Sequence, residues 1–434
     1  MGPIYYEHRP EGEFAFTVNP QAIKFGAGAL AELGADARAH GIRRAALFID
    51  AVVAETEPAA VALQSLKVAG IDVACFDGVR IEPTDRSFLD ATAFARESGA
   101  DGFISLGGGS VIDTAKAANL LSTYPDELLA YVNAPLGRAT PIPGPLKPHI
   151  ACPTTSGTGS ETTGVAVFDM VELHVKTGIS SKLLKPTMAV VDPTTTHSLP
   201  AGVVAATGFD VFTHAIESYT ARPYTSRDRP PAPEARPPYQ GANPFSDIGS
   251  MEAIRLGGRY LVRAVSDASD REARHAMMFA STLAGLAFGN AGVHIPHAMS
   301  YAVAGLKHAY TASGYEHAAP MVPHGISVVI NAPAAFRFIA DACPERILAA
   351  AAALGADAND CGPQAAGPLL AQCLVAMMRD TGLPSGIAAL GYDDGDIPAL
   401  VKGTMAQQRL LVMAPRPVDA DDVAALFRAA MRYW

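Results

Sequence analysis

Between Ala45 and Asp192 five short β-type runs alternate with stretches of helical period, and this alternation leaves little freedom of architecture. The runs are Ala45–Asp50, Ile71–Phe76, Gly102–Leu106, His149–Pro153 and Met188–Asp192, and helical patterns such as Ser87–Ser98 and Ser110–Leu121 lie between them. Strands separated in this way read as βαβ units, which build a parallel sheet covered by helices. After Asp192-Pro193 the β-type runs stop, and helical patterns continue over Ala205–Thr220, Arg271–Phe288, Pro344–Leu354, Ala365–Thr381 and Ala420–Arg432. The predicted fold is α/β plus all-α: a Rossmann-like parallel-sheet domain over residues 1–195, then a helical metal-binding domain over 196–434. Residues 222–244 are too rich in proline to continue a helix and read as a long loop.

Composition narrows the function. A length of 434 residues with 49% hydrophobic content supports two cores. The 33 basic residues fall short of the 43 acidic ones, a net charge of −10, so nucleic acid and anionic membranes are poor partners. Five cysteines without a CxxC pair fit neither a disulfide framework nor a thiolate zinc site. The N-terminus carries neither a secretory signal nor a myristoylation motif, which predicts a cytoplasmic protein.

Two turns carry the first chemical signal. Leu106-Gly107-Gly108-Gly109-Ser110 follows a strand and opens a helix, the arrangement that aims backbone N–H groups at an anion. Ile112 occupies the third position of GxGxxG, so the ordinary Rossmann fingerprint fails. Thr154-Thr155-Ser156-Gly157-Thr158-Gly159-Ser160 follows another strand and offers five hydroxyls and two glycines. Two such turns at one carboxyl edge favour a dinucleotide. Asp50, ending the first strong strand, suits an adenosine ribose and repels a 2′-phosphate, which argues for NAD over NADP.

Histidines carry the second. Asp210 and His214, four apart in a helical pattern, stand on one face, and Glu217 follows a turn later as an orienting group. Pro296 favours the first turn of a helix, which makes His297 the better ligand and His294 the better pocket residue, with Tyr301 a turn beyond His297. His324 lies in a further Pro-His-Gly turn. One carboxylate and three imidazoles suit a divalent metal such as Fe²⁺ or Zn²⁺.

Along essentially its whole length the chain resembles the iron-containing (group III) alcohol dehydrogenases. The similarity runs through GGGSVIDTAKAANL (107–120), PTTSGTGSE (153–161), GFDVFTHAIESY (208–219), HAMSYAVAGL (297–306) and PHG (323–325). VRIEPTDRSF (79–88), RPPYQGANPFSDI (236–248), FGNAGVHIPHAMSY (288–301) and DIPALVKGT (396–404) are similar to its hydroxyacid-oxoacid transhydrogenase branch. The resemblance implies metal ligands at Asp210, His214, His297 and His324. It implies cofactor contacts at Asp50, Gly108, Gly109, Ser110, Asp113, Thr154, Thr155 and Lys176. Many members carry glycine and histidine at positions 298 and 301, where this chain has Ala298 and Tyr301. An ordinary tyrosine, with a pKa near 10, donates a proton but is a weak base at neutral pH. Tyr301 and His294 are therefore the catalytic candidates in a substrate pocket.

The implied reaction is hydride transfer between a hydroxyacid and an oxoacid, of the 4-hydroxybutyrate and 2-oxoglutarate type, through bound NAD and a metal for which iron is the first choice. The alternative is an ordinary NAD-dependent alcohol dehydrogenase or a maleylacetate-type reductase, and a homodimer is expected. A carboxylate substrate needs a cation. Lys307, His308 and the loop residues Arg222, Arg227, Arg229 and Arg236 are the candidates, with the loop preferred as a mobile lid.

Overall fold

The computed structural model describes Tyr5, Glu7 and residues 9–173, 175–307 and 309–434. It divides into two units, Pro20–Leu199 and a second formed by Met1–Asn19 with Pro200–Trp434. Residues before Pro20 thus join the helical unit, although sequence alone puts them with the sheet. Glu13 binds Arg236 at 2.9 Å, and the Thr17 N–H donates to Gln240 Oε1 at 2.8 Å, contacts that no local pattern announces.

In the α/β unit the strands are β1 (Ala22–Phe25), β2 (Arg44–Ile49), β3 (Asp72–Phe76), β4 (Gly102–Gly107), β5 (His149–Pro153), β6 (Val165–Met170), β7 (Val175–Ser180) and β8 (Met188–Val191). Six of them form a sheet in the order β1-β8-β5-β4-β2-β3, every pair parallel, while β6 and β7 pair antiparallel as a separate ribbon. The sequence reading misses β1, which is only four residues long and partly exposed, and it misses the β6–β7 ribbon.

Period-two alternation places helices on both faces of this sheet. Ala45, Leu47 and Ile49 of β2 enter a core with Leu33 and Leu66 from helices Leu33–Ala39 and Glu57–Val68. Ala46 and Phe48 enter a second core with Ala91 and Val111 from helices Asp85–Ser98 and Gly109–Thr123. With both faces buried, β2 reads as an unbroken apolar run. The chain leaves β2 for β3 on one side and β4 for β5 on the other. This reversal marks the place, beyond the carboxyl ends of β2 and β4, where open sheets bind ligands.

The helical unit is organised around Ala201–Thr220, which packs against Pro244–Ser266, Arg271–Ala291 and His324–Val329. It is apolar nearly all round, so it is buried nearly all round. Asp210, His214 and Glu217 are thereby carried into the interior, where unpaired polar groups are costly.

Candidate active site

Asp210 and His214 project from Ala201–Thr220, His297 from the second residue pair of Ile295–Leu306, and His324 from the start of His324–Val329. One ligand atom from each lies within 4.8 Å of the others. Gly325 makes the approach of the last helix possible, because a Cβ there would lie 1.9 Å from the Ala206 carbonyl oxygen. His214 stacks on Phe288 at 3.9 Å and on His297 at 4.4 Å, which fixes its ring.

Asp210 Oδ1 lies 3.6, 3.5 and 3.8 Å from His214 Nδ1, His297 Nε2 and His324 Nε2. Three of these buried atoms, Asp210 Oδ1, His214 Nδ1 and His297 Nε2, have no hydrogen-bond partner. Buried polar atoms are almost always satisfied, so their convergence fits a divalent cation among them. Burial would raise the Asp210 pKa, but the three imidazoles lower it to about 2. Burial drives His214 down to about 3, which keeps its lone pair available at neutral pH.

Glu217 supplies the frame. Its Oε1 accepts from the His294 N–H at 2.7 Å and from the His297 N–H at 3.3 Å, and its Oε2 binds His297 Nδ1. That contact turns Nε2 of the same ring toward Asp210, the role expected of an orienting carboxylate. Glu217→Gln removes the charge while keeping an acceptor for the two backbone N–H groups. It is expected to weaken metal affinity about 10–100-fold, measured by competition with a chelator. Unchanged affinity would leave Glu217 with packing alone.

His294 requires a correction. It is expected in the pocket, but its ring is fully buried, its Nε2 pairs with Thr220 Oγ1 at 3.0 Å, and Phe336 packs edge-on against it. Burial pushes its pKa down to about 4. The ring thus joins the start of the Ile295–Leu306 helix to Thr220 of Ala201–Thr220, while the His294 N–H is held by Glu217. Tyr301 is also buried, and its hydroxyl accepts from Arg409 Nη2 at 3.0 Å.

In the α/β unit the two glycine turns meet. Gly107 of β4 and Pro153 of β5 are register partners, and the Thr154 N–H donates to Gly107 O at 3.0 Å. A Cβ on Gly108 would lie 3.3 Å from the Thr155 side chain, and one on Gly109 would lie 2.7 Å from Thr158. Only glycine leaves this floor open. Val111 and Ile112 N–H close onto Gly108 O, whereas Gly109 and Ser110 begin the helix, where N–H groups have no intrahelical partner. Ser110 Oγ is taken by the Glu82 N–H at 3.1 Å. Asp50 caps Ala51–Ala54 through Oδ1, which accepts from the Val52 and Val53 N–H groups.

Asp113 and Lys176 face inward, contrary to the expected cofactor contacts. Asp113 accepts from Ser160 Oγ, from Lys116 Nζ at 3.2 Å and from the Val167 N–H at 2.9 Å, which consumes its carboxylate. Lys176 is buried between Glu82 at 2.5 Å and Asp169 at 3.1 Å, and these anions hold it protonated against the cost of burial. Sequence reasoning also misses Lys116. Its buried Nζ donates to Ser160 Oγ and Val165 O at 2.7 Å each, tying the second turn to the Gly109–Thr123 helix.

The loop arginines are likewise engaged. Arg236 grips Glu13 with two nitrogens at 2.9 and 3.0 Å, Arg222 donates to Ser226, Arg227 to the Tyr239 and Gln240 carbonyls, and Arg229 lies over the Phe14 ring. These contacts fasten the loop, which corrects its reading as a mobile lid with spare cations. Lys307 pairs with Asp396 at 2.5 Å, and His308 lies outside the described residues.

A parallel-sheet unit with a glycine cradle, followed by a helical unit that collects one aspartate and three histidines, defines a metal-dependent, nucleotide-linked oxidoreductase. The pattern of iron-containing alcohol dehydrogenases matches residues 20–193, and that of the C-terminal part of the same family matches residues 238–431. The chain belongs to the iron-containing alcohol dehydrogenase family. It is 48% identical over 424 residues to the hydroxyacid-oxoacid transhydrogenase, mitochondrial, of Bos taurus, covering 97% of this chain and 91% of that one. Among solved structures, 1,3-propanediol oxidoreductase is similar with a TM-score of 0.83 and 30% identity, covering 96% of this chain and all of that one. Sulfoacetaldehyde reductase from Bifidobacterium kashiwanohense, in complex with NAD+, is similar with a TM-score of 0.77 and 25% identity, covering 96% and 99% of the two chains. The relatives' names place them in mitochondria, which overturns the cytoplasmic expectation. The secretory-signal and myristoylation patterns behind that expectation bear on secretion and acylation and not on mitochondrial import.

Proposed function

We propose that this protein is a hydroxyacid-oxoacid transhydrogenase that moves a hydride from 4-hydroxybutyrate to 2-oxoglutarate through tightly held NAD, with iron as its metal. The observation that carries the reading is the convergence of Asp210, His214, His297 and His324 around three unsatisfied buried atoms. Similarity to the bovine hydroxyacid-oxoacid transhydrogenase supports a hydroxyacid donor and an oxoacid acceptor, and likeness to the NAD+-bound reductase supports the cofactor.

The ion supplies Lewis acidity, which lowers the pKa of a substrate hydroxyl. The nicotinamide supplies the hydride acceptor and, in the second half-reaction, the donor. The protein's own residues do the rest. Glu217 holds the His297 ring in position. The backbone of Gly108 and Gly109, with Thr154 and Thr155, forms the floor for the pyrophosphate, and Asp50 Oδ2, outside the cap, is the acceptor assigned to a ribose hydroxyl. The Tyr301 hydroxyl, one helical turn beyond His297, is the group proposed to pass a proton. The two halves balance: the hydroxyl of one acid becomes an aldehyde as the ketone of the other becomes a hydroxyl, and no nicotinamide is consumed.

Metal-loaded protein incubated with both acids, with and without added NAD, is expected to form succinate semialdehyde and 2-hydroxyglutarate in equal amounts, read by mass spectrometry. Stoichiometric release of NADH with 4-hydroxybutyrate alone would instead favour the ordinary dehydrogenase.

A further inference from the structure

We infer that Arg409, held by Tyr301 beside Tyr239, is the receptor for the substrate carboxylate in the helical unit. Arg409 lies in the short Gln408–Leu411 helix, and its guanidinium donates to the Tyr301 hydroxyl at 3.0 Å, with the Tyr239 phenol close enough to feel its charge. Among the described residues no carboxylate pairs with it, whereas Arg236, Arg263 and Arg346 all have acidic partners. A phenol oxygen orients a guanidinium without neutralising it, and the Tyr301 bond takes one of its five N–H donors. A partly buried cation in that state favours an anion, and its planar fork matches a carboxylate.

The receptor is tied to the metal cluster. Tyr301 stands one helical turn beyond the ligand His297, about 6 Å along the axis at 1.5 Å per residue. Tyr239 lies close enough to Glu217 to feel its charge, and burial pushes its phenol up to about 12. Its ring sits over Gly292, where φ is +97° and a Cβ would come within 3.0 Å of it. The hydrogen bonds Gln240 N–H to Asn290 O at 2.8 Å and Gly241 N–H to Ala291 O at 3.0 Å pin this part of the proline-rich loop beside the entry to the His297 helix.

This inference rests on the proposed hydroxyacid chemistry, and it explains how one site serves two different acids. In 4-hydroxybutyrate two methylenes separate the reacting carbon from the carboxylate. In 2-oxoglutarate two methylenes separate the ketone carbon from the distal carboxylate. A single cation at a set distance from the metal therefore positions the donor and, in its turn, the acceptor. The substrate class is carboxylates bearing a hydroxyl or carbonyl carbon two methylenes away.

The test compares metal-loaded wild type, Arg409→Met, Arg409→Lys and Tyr239→Phe. Selectivity is read as kcat/KM for 4-hydroxybutyrate over that for 1-butanol, and glutarate binding is read by calorimetry. Arg409→Met is expected to lower both selectivity and glutarate affinity by about 10²-fold, since removing one partner of a desolvated charge pair has effects of that size. Arg409→Lys, which keeps charge without the fork, is expected to lose about 10-fold, and Tyr239→Phe less. If Arg409→Met does not fold, the lysine variant decides. Full glutarate affinity and selectivity in a folded Arg409 variant overturns the inference while leaving transhydrogenation intact. If wild type makes no 2-hydroxyglutarate, the transhydrogenase reading falls, and the glutarate arm alone decides whether Arg409 receives carboxylates.

Discussion

Replacing His297 with alanine is expected to abolish metal retention and to lower turnover by about 10³-fold or more, the scale of several kcal/mol of Lewis-acid stabilisation. Two losses combine in this change. One of four donors leaves the cluster, and the Glu217 Oε2 that bound its Nδ1 becomes a buried carboxylate oxygen without that partner. His294→Ala is the matched control, since that ring is equally buried three residues earlier and contributes no atom to the cluster. It should keep metal while losing stability. Elemental analysis after dialysis against a weak chelator, together with exchange assays, reads both proteins. Full occupancy in His297→Ala, or loss of metal in His294→Ala with retention in the other, would reverse the assignment.

Lys116→Met is expected to destabilise the protein by about 3–5 kcal/mol, because it strands the buried carboxylate of Asp113 and the carbonyl of Val165. At this domain size such a loss lowers the melting temperature by roughly 10 °C. Combining it with Asp113→Asn removes both charges and should recover part of the loss, since an uncharged pair has less to desolvate. Thermal unfolding of the three variants is the measurement. A single mutant as stable as wild type would mean that the Lys116 contacts are not formed in solution.

Much of the candidate site is legible in the sequence because its signals are local. Asp210 and His214 are one helical turn apart, Pro296 announces the helix that carries His297, and each glycine turn follows an apolar run. What escaped notice depends on direction or on distance. A motif can name Asp113 and Lys176 but cannot say that both turn inward, toward Lys116 in one case and toward Glu82 and Asp169 in the other. His294 shares the same limit, since its backbone is where a ligand would be and its ring points to Thr220. Arg409 meets Tyr301 across 108 residues, and nothing in Gln407-Gln408-Arg409-Leu410-Leu411 marks it. β1 was missed for another reason, since its four residues on a half-exposed edge carry no apolar run.

The level pairing of Gly107 with Pro153 also has a kinetic meaning. Neither turn alone offers a floor for phosphate, and the two come together only when β4 and β5, separated by about 40 residues of intervening chain, have docked in parallel. Pairings of such long sequence separation form late, because loop closure must precede the contacts that reward it. A nascent chain would therefore have no affinity for nucleotide until its sheet is nearly complete. From then on, each bound dinucleotide withdraws finished units from the unfolding equilibrium, so cofactor supply sets how much of this protein survives as well as how fast it works.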